Sequence, residues 1–204
     1  DIKYMPEKLD QASNFANKLW NAAKFVLGNI SKENEEEVQR ETVPSNLAWE
    51  DKWILSKYNK VVKNVTKHMD KYDFNIVGSE LYSFIYDDFC SSYIEMAKYS
   101  IEDVTTQSVL CYVLTGILKM LHPFMPFVTE EIYQMLPIKD AESIMISEYP
   151  KYDKKQIFDL EEEIVEEEIT FIKNFRNVKA ENNISKDMKI MFDTEDDNEL
   201  IIKL

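Results

Sequence analysis

The first thirty residues follow a helical pattern with one apolar face and one polar face. At about 100° per residue, the apolar face gathers Phe15, Leu19, Val26 and Ile30, together with Ala12, Ala16 and Ala23. The opposite face places Asn14, Lys18, Asn21 and Phe25 within about a quarter of the helix circumference. Because Pro6 suits a first turn and Gly28 suits a C-terminus, the pattern predicts a helix from about Pro6 to about Asn29.

Apolar positions at the same spacing predict helices along most of the following hundred residues. The expected ranges are 45 or 46 to about 69 with Ser45 or Asn46 as the cap, 75–99, 105–121, and a short helix that follows Pro123 and Pro126 and ends before Pro137. The predicted buried positions of the first two of these helices are Ile54, Leu55, Tyr58, Val61, Val62, Val65 and Met69, then Leu81, Phe84, Ile85, Phe89, Tyr93 and Met96.

Two segments depart from this helical pattern. Residues 31–45 are rich in Glu and have no apolar period, so we expect a mobile acidic loop. After Pro150 one apolar stripe predicts a long helix, followed by a short strand at Lys189–Asp193 and an apolar run at 200–204. The stripe comprises Ile157, Leu160, Ile164, Phe171, Phe175 and Val178. We expect a domain at 1–150 and, at 151–204, a junction helix with part of an α+β element of a longer protein.

Composition favours a mainly helical fold. The chain has 204 residues, 45% of them hydrophobic, with three glycines and six prolines, which is too little turn chemistry for hairpins or phosphate-cradling loops. The predicted fold class is therefore an all-α helical bundle with a short C-terminal α+β tail. Cys90 and Cys111 have no ligand spacing and are expected to be free thiols. No signal peptide is visible and no apolar run approaches the ~18–20 residues of a membrane span, so we expect a soluble cytoplasmic protein with no membrane partner.

The formal net charge of −14 at first argues against a nucleic-acid partner. The acidic excess is, however, concentrated outside the stretches 1–30 and 51–80, each of which is mildly positive by count. Only these two stretches are suited to face a polyanion.

No pattern of catalytic or metal-binding residues is recognisable. A di-metal site in a helical bundle needs Glu three residues before His, and neither His68 nor His122 has it. No Ser lies in a nucleophile-elbow pattern, and spacing does not support a Cys–His pair. We therefore predict neither a catalytic residue nor a metal ligand, and we expect the carboxylate runs to be solvated helix faces.

The polar face of the first helix is the strongest functional signal. A ring among amides and ammonium groups suits an unpaired base, which stacks on the aromatic while Lys meets phosphate and Asn reads a base edge. The alternatives are a Phe25 ring covered by a neighbouring element, a solvated Lys18, and asparagines used in capping or helix-to-helix hydrogen bonds. A second basic face, Lys57 to Lys67, is most simply a solvated helix side, with RNA backbone contact as the second interpretation.

Several segments together resemble a known family. They are Asn14-Phe15-Ala16-Asn17-Lys18-Leu19-Trp20-Asn21-Ala22-Ala23, Asp51-Lys52-Trp53-Ile54-Leu55-Ser56, Leu121-His122-Pro123-Phe124-Met125-Pro126-Phe127 and Arg176-Asn177-Val178-Lys179-Ala180-Glu181. In this order they closely resemble the anticodon-binding domain of the class Ia valyl-tRNA synthetases, and the similarity covers nearly the whole chain.

The resemblance implies a bundle that binds the anticodon stem-loop of tRNA(Val) while a catalytic domain of the same polypeptide aminoacylates it with valine. The family's His-x-Gly-His and Lys-Met-Ser-Lys-Ser signatures have no counterpart here, so we expect no ligase activity from this chain by itself. The expected cofactors are none in this chain and ATP with Mg in the full-length enzyme, and the expected state is a monomer. The family's C-terminal coiled coil is expected to follow the tail.

The resemblance also implies roles for individual side chains. Lys18 matches a phosphate or base-edge donor and Phe25 matches the ring that stacks on the anticodon loop. The complete set of candidate RNA-binding residues is Lys18, Phe25, Asn14, Asn17, Asn21 and Lys24. The alternative function is a helical protein-interaction or structural module that docks a partner protein on its polar face.

Overall fold

The computed structural model describes residues 6–30, 38, 46–137, 139–182 and 184. The helices in this part of the chain are α1 (Pro6–Asn29), α2 (Trp49–Met69), α3 (Phe74–Ser83), a π-helical segment (Phe84–Tyr93), α4 (Ile94–Ala97), α5 (Val104–Leu121), α6 (Pro126–Met135) and α7 (Asp159–Glu181). Two short 3-10 turns lie at Ile144–Ile146 and Lys154–Gln156. No strand occurs among these residues, so the predicted all-α bundle is confirmed.

The chain divides into two compact units, residues 1–165 and 166–204. In the first unit, α1 packs on α5, α6 and the π-helical segment, and α2 packs on α3, α5 and the same segment. The second unit contains the C-terminal part of α7, where the Phe171 and Phe175 rings stack with centroids 6.5 Å apart. The predicted domain division at residue 150 stays a prediction, and the predicted strand at 189–193 lies outside the described residues.

Helix α1 has the bounds that its sequence predicts, whereas α2 begins later than expected. The backbone at Ala48 is extended, and the carboxylate of Asp51 accepts a hydrogen bond from the Ala48 N–H at 3.4 Å. The prediction of Ser45 or Asn46 as the cap is therefore wrong. The polar group that stabilises this N-terminus lies inside the helix, three residues after the N-cap.

Most predicted core positions are buried. Phe15, Leu19 and Val26 of α1 and the apolar stripe of α2 from Ile54 to Val65 are nearly inaccessible to solvent. Met69 and Met96, at the ends of their stripes, are only half-buried. Within the predicted acidic loop the described residues include only Val38, which is helical and buried.

The expectation that no apolar run approaches the length of a membrane span is wrong for helix α5. Its 18 residues, Val104–Leu121, are long and apolar enough by length and composition to cross a bilayer. In the structure 72% of this helix is buried inside the bundle. It is therefore the central core helix of the first unit, packed by α1, α2 and α6.

The lysine face of α2 is only partly a solvated surface. Lys60 binds Glu162 at 2.8 Å and Asp159 at 3.2 Å, and Lys52 binds Glu161 at 2.9 Å. Further along the helix, the Lys63 ammonium lies 5.1 Å from the centroid of the Tyr152 ring. Carboxylates of residues 159–162 neutralise Lys52 and Lys60 and leave that part of the face less available to an RNA backbone, whereas Lys63 and Lys67 are exposed.

Candidate nucleic-acid interface

The polar face of α1 lies on the outside of the bundle, as its sequence predicts. Asn14, Asn17, Asn21 and Lys24 are exposed. Lys18 and Phe25 are half-buried. Lys18 and Phe25 are seven positions apart in the helix, so they stand about 10 Å apart along one side of α1. This surface therefore offers amide groups, ammonium groups and an aromatic ring to a ligand.

Lys18 is held between two side chains of the π-helical segment. Its ammonium donates a hydrogen bond to Ser91 Oγ at 2.9 Å and lies 3.5 Å from the centroid of the Tyr86 ring. A cation at this distance from an aromatic face is attracted by the ring quadrupole. We call Lys18, Tyr86 and Ser91 together the Lys18 cradle.

Cys90 lies beside the Lys18 cradle without adding a reactive group. Burial raises the pKa of the Cys90 thiol to about 11, although the charge of Lys18 acts in the opposite direction. The thiol is therefore neutral near pH 7 and is a poor nucleophile. Cys90 and Cys111 are both free cysteines.

An aromatic stack leads from the core to the Lys18 cradle. Phe15 stacks on Tyr82 with centroids 5.1 Å apart, and Tyr82 stacks on Tyr86 at 5.5 Å with an interplanar angle of 7°. Tyr82 is 44% exposed. Since Phe15 is buried, this stack fixes the position of the Tyr86 ring relative to α1.

Phe25 has a cationic neighbour from outside α1. The Lys98 ammonium lies 5.9 Å from the centroid of the Phe25 ring, and it also binds Glu95 at 2.7 Å. The Lys24 ammonium lies 5.9 Å from the Trp20 ring. The ring of Phe25 is therefore partly covered by the chain that follows α4. This agrees in part with the alternative interpretation, in which a neighbouring element covers the Phe25 ring.

Sequence reasoning missed the partners that α3 and the π-helical segment supply. Tyr82 and Tyr86 stand four residues apart and lie off the predicted buried stripe, which was a usable signal for a second aromatic surface. Ser91 carried no such signal, because its proximity to Tyr86 depends on the π-helical register. Among the described residues, no group of three or more His, Cys, Asp or Glu side chains is arranged to hold a metal ion.

Comparisons with known proteins show the family to which the chain is similar. A family model described as the anticodon-binding domain of tRNA ligase matches residues 51–194, more than half of the chain. Three curated relatives are valine-tRNA ligases of Staphylococcus epidermidis, Staphylococcus saprophyticus and Staphylococcus aureus, 42%, 41% and 40% identical over 97%, 97% and 96% of the chain. The chain spans 23% of the length of each of these relatives. The resemblance drawn from the sequence motifs is thereby confirmed.

Proposed function

Since the chain belongs to the family of anticodon-binding domains of tRNA ligases, we propose that it binds the anticodon stem-loop of tRNA(Val). The relatives that match almost all of the chain are valine-tRNA ligases. This supports a tRNA that carries valine as the RNA partner. The observation that carries the proposal is the outer face of α1, where exposed asparagines surround Lys18 and Phe25.

Each group on this face has a task in RNA binding. Phe25 stacks on an unpaired base of the loop, Lys18 donates to a phosphate or a base edge, and Asn14, Asn17, Asn21 and Lys24 read or neutralise neighbouring groups. Stacking of one base on an aromatic ring is worth roughly 1–3 kcal/mol. The Lys contact contributes a salt-dependent term, because bound cations are released from the RNA when the ammonium replaces them.

The larger reaction belongs to a longer polypeptide. In this proposal a catalytic domain of the same polypeptide uses ATP and Mg to attach valine to the tRNA that this chain holds. In this proposal the chain supplies recognition, and the catalytic domain supplies the catalytic residues. We propose further that it works as a monomer in the cytoplasm, where tRNA is charged.

The first prediction concerns Lys18 and Phe25. Lys18→Ala and Phe25→Ala should each weaken binding of a labelled valine-anticodon stem-loop RNA by about 1 kcal/mol or more. Fluorescence anisotropy at several salt concentrations measures this. Binding by the unsubstituted chain should weaken steeply as salt rises, and Lys18→Ala should lower the slope of log Kd against log salt by about 0.7.

The matched controls are an exposed aromatic and an exposed lysine on other elements. Phe127 is 91% exposed and lies near the start of α6. The other end of α6, roughly 12 Å away at Met135, is the end that lies near Leu27 and Ile30 at the end of α1. Phe127→Ala and Lys155→Ala should leave binding unchanged, because both residues are exposed and lie outside the stretches 1–30 and 51–80. Equal losses in the controls would overturn the assignment of Lys18 and Phe25 as the contact residues, and binding insensitive to salt would favour the protein-interaction module and overturn the RNA proposal.

A further inference from the structure

The π-helical segment brings together two side chains that an α-helix would separate. Tyr86 and Ser91 are five residues apart, which in an α-helix places them about 140° apart around the axis. In a π-helix, residue i+5 lies about one turn beyond residue i, because the backbone hydrogen bonds join these residues. Accordingly Ser91 Oγ donates to the Tyr86 carbonyl at 2.7 Å, and both side chains meet Lys18.

The neighbouring serine shows what is particular to Ser91. Ser92 makes the same local hydrogen bond, from its Oγ to the Asp87 carbonyl at 3.0 Å. Ser91 alone of the two also accepts a hydrogen bond from the ammonium of Lys18, at 2.9 Å. The hydroxyl of Ser91 therefore links the π-helical backbone to a side chain on α1.

We propose that Tyr86 and Ser91 are positioning residues that hold Lys18 ready for RNA, an inference that rests on the proposed anticodon function. A lysine ammonium has three N–H donors. Ser91 uses one of them, and the Tyr86 ring attracts the charge without requiring a second N–H in a directed hydrogen bond. Donors thus stay available for a phosphate oxygen or a base edge while the cradle is intact.

The cradle increases the affinity for RNA by lowering the entropy lost on binding. A free lysine side chain samples many rotamers, and fixing it upon RNA binding opposes association. In the Lys18 cradle much of that ordering is already present in the free protein. The aromatic stack of Phe15, Tyr82 and Tyr86 makes the cradle rigid, because it connects the ring under Lys18 to a buried residue of α1 itself.

The test compares paired substitutions in the 204-residue chain, read by anisotropy with the valine-anticodon stem-loop RNA. Ser91→Ala and Tyr86→Leu should each weaken binding by about threefold or more. Ser92→Ala loses the same type of backbone-directed bond and should bind as the unsubstituted chain does. Tyr86→Phe keeps the aromatic face under the ammonium and should also retain full affinity.

A double-mutant cycle separates positioning from direct contact with RNA. If Tyr86 acts through Lys18, then Tyr86→Leu has no further effect once Lys18→Met is present. An equal loss in both backgrounds means that Tyr86 contacts the RNA itself, and it overturns the inference. Equal losses in Ser91→Ala and Ser92→Ala overturn it as well.

The outcome also distinguishes this inference from the function on which it rests. If the unsubstituted chain does not bind the stem-loop at low salt, the proposed function fails. If the chain binds and Lys18→Ala weakens it while Ser91→Ala and Tyr86→Leu do not, only the positioning role fails. Circular dichroism and thermal unfolding of each variant establish that affinity is compared between folded proteins.

Discussion

Asp51 is a carboxylic acid buried within the bundle. It has no exposed surface, it accepts a hydrogen bond from the hydroxyl of Tyr93 at 2.5 Å, and it receives the Ala48 N–H at the start of α2. Burial raises the pKa of Asp51 to about 6, even though the Tyr93 hydrogen bond lowers it. A single residue thus joins the start of α2 to the π-helical segment.

This shift predicts a pH dependence of stability. Between pH ~4 and pH ~6 the folded protein keeps a proton on Asp51 that the unfolded chain has released, so the folded state binds more protons. The contribution of Asp51 to the free energy of unfolding is therefore fully present below pH ~4 and declines as pH rises through about 6. The total change is on the order of 2–3 kcal/mol.

Urea unfolding at pH 4, 5, 6 and 7, for the unsubstituted chain and for Asp51→Asn, isolates this contribution. The unfolding free energy of the unsubstituted chain should fall relative to that of Asp51→Asn as pH rises, because only the carboxyl group loses its proton. Glu161→Gln serves as a contrast, because the Lys52 hydrogen bond lowers the pKa of Glu161 and its contribution is lost on acidification instead. A pH-independent difference for Asp51→Asn would contradict the raised pKa.

At the scale of elements, the crossing of α2 and α5 depends on one glycine. A Cβ on Gly116 would come within van der Waals overlap of the Tyr58 ring, whose Cε2 and Cζ atoms would both lie 2.5 Å away. Tyr58 is buried at 3% exposure, so a methyl group at position 116 would force its packed ring to shift. Close approach of the two helices therefore requires the absence of a side chain at position 116.

Gly116→Ala should destabilise the protein by about 1–3 kcal/mol, because an overpacked core forces backbone or rotamer shifts. Gly78→Ala is the matched control. Gly78 is exposed on α3, and a methyl group added there would have no other atom within 4 Å, so this substitution should stabilise by about 0.5–1 kcal/mol through helix propensity. Chemical denaturation measures both, and two shifts of the same sign would refute this account of the crossing.

At the scale of the first unit, a polar seam attaches the segment 153–162 to α2. Asn59, 1% exposed, accepts the Asp153 N–H at 2.9 Å and donates to Gln156 at 2.8 Å. The fully buried Ser56 donates to Glu162 at 2.6 Å. Because these polar groups are satisfied by each other, the segment docks by hydrogen bonds and ion pairs on a helix face that sequence reasoning assigned to solvent.

Asn59→Ala should loosen this segment selectively, because it leaves the Asp153 N–H and the Gln156 amide without their partner. The loss of these two hydrogen bonds costs about 0.5–1.5 kcal/mol each, which corresponds to roughly fivefold or faster amide exchange in residues 153–162 by hydrogen-exchange mass spectrometry. Asn64→Ala is the control, since Asn64 on the same helix is exposed and binds Glu80. A uniform increase in exchange across the unit, or the same effect in both variants, would argue against the seam.

The sequence by itself determined the helices and the orientation of α1. Apolar spacing with Pro6 and Gly28 predicted the bounds of α1, and the same spacing placed its asparagines, Lys18 and Phe25 on the outer side. These features depend on local periodicity and on the chemistry of helix ends, which neighbouring residues encode. The motif resemblance came from the same local strings and predicted the family.

The tertiary structure alone decided which side chains meet on that face. The contact of Tyr86 and Ser91 with Lys18, the hydrogen bond from Tyr93 to the buried Asp51, and the ion pairs of Lys52 and Lys60 join residues 42 to 109 positions apart. No local pattern encodes such pairs, because each depends on how whole helices pack. The sequence therefore specified the candidate RNA-binding residues of α1, and packing specified the side chains that hold them in place.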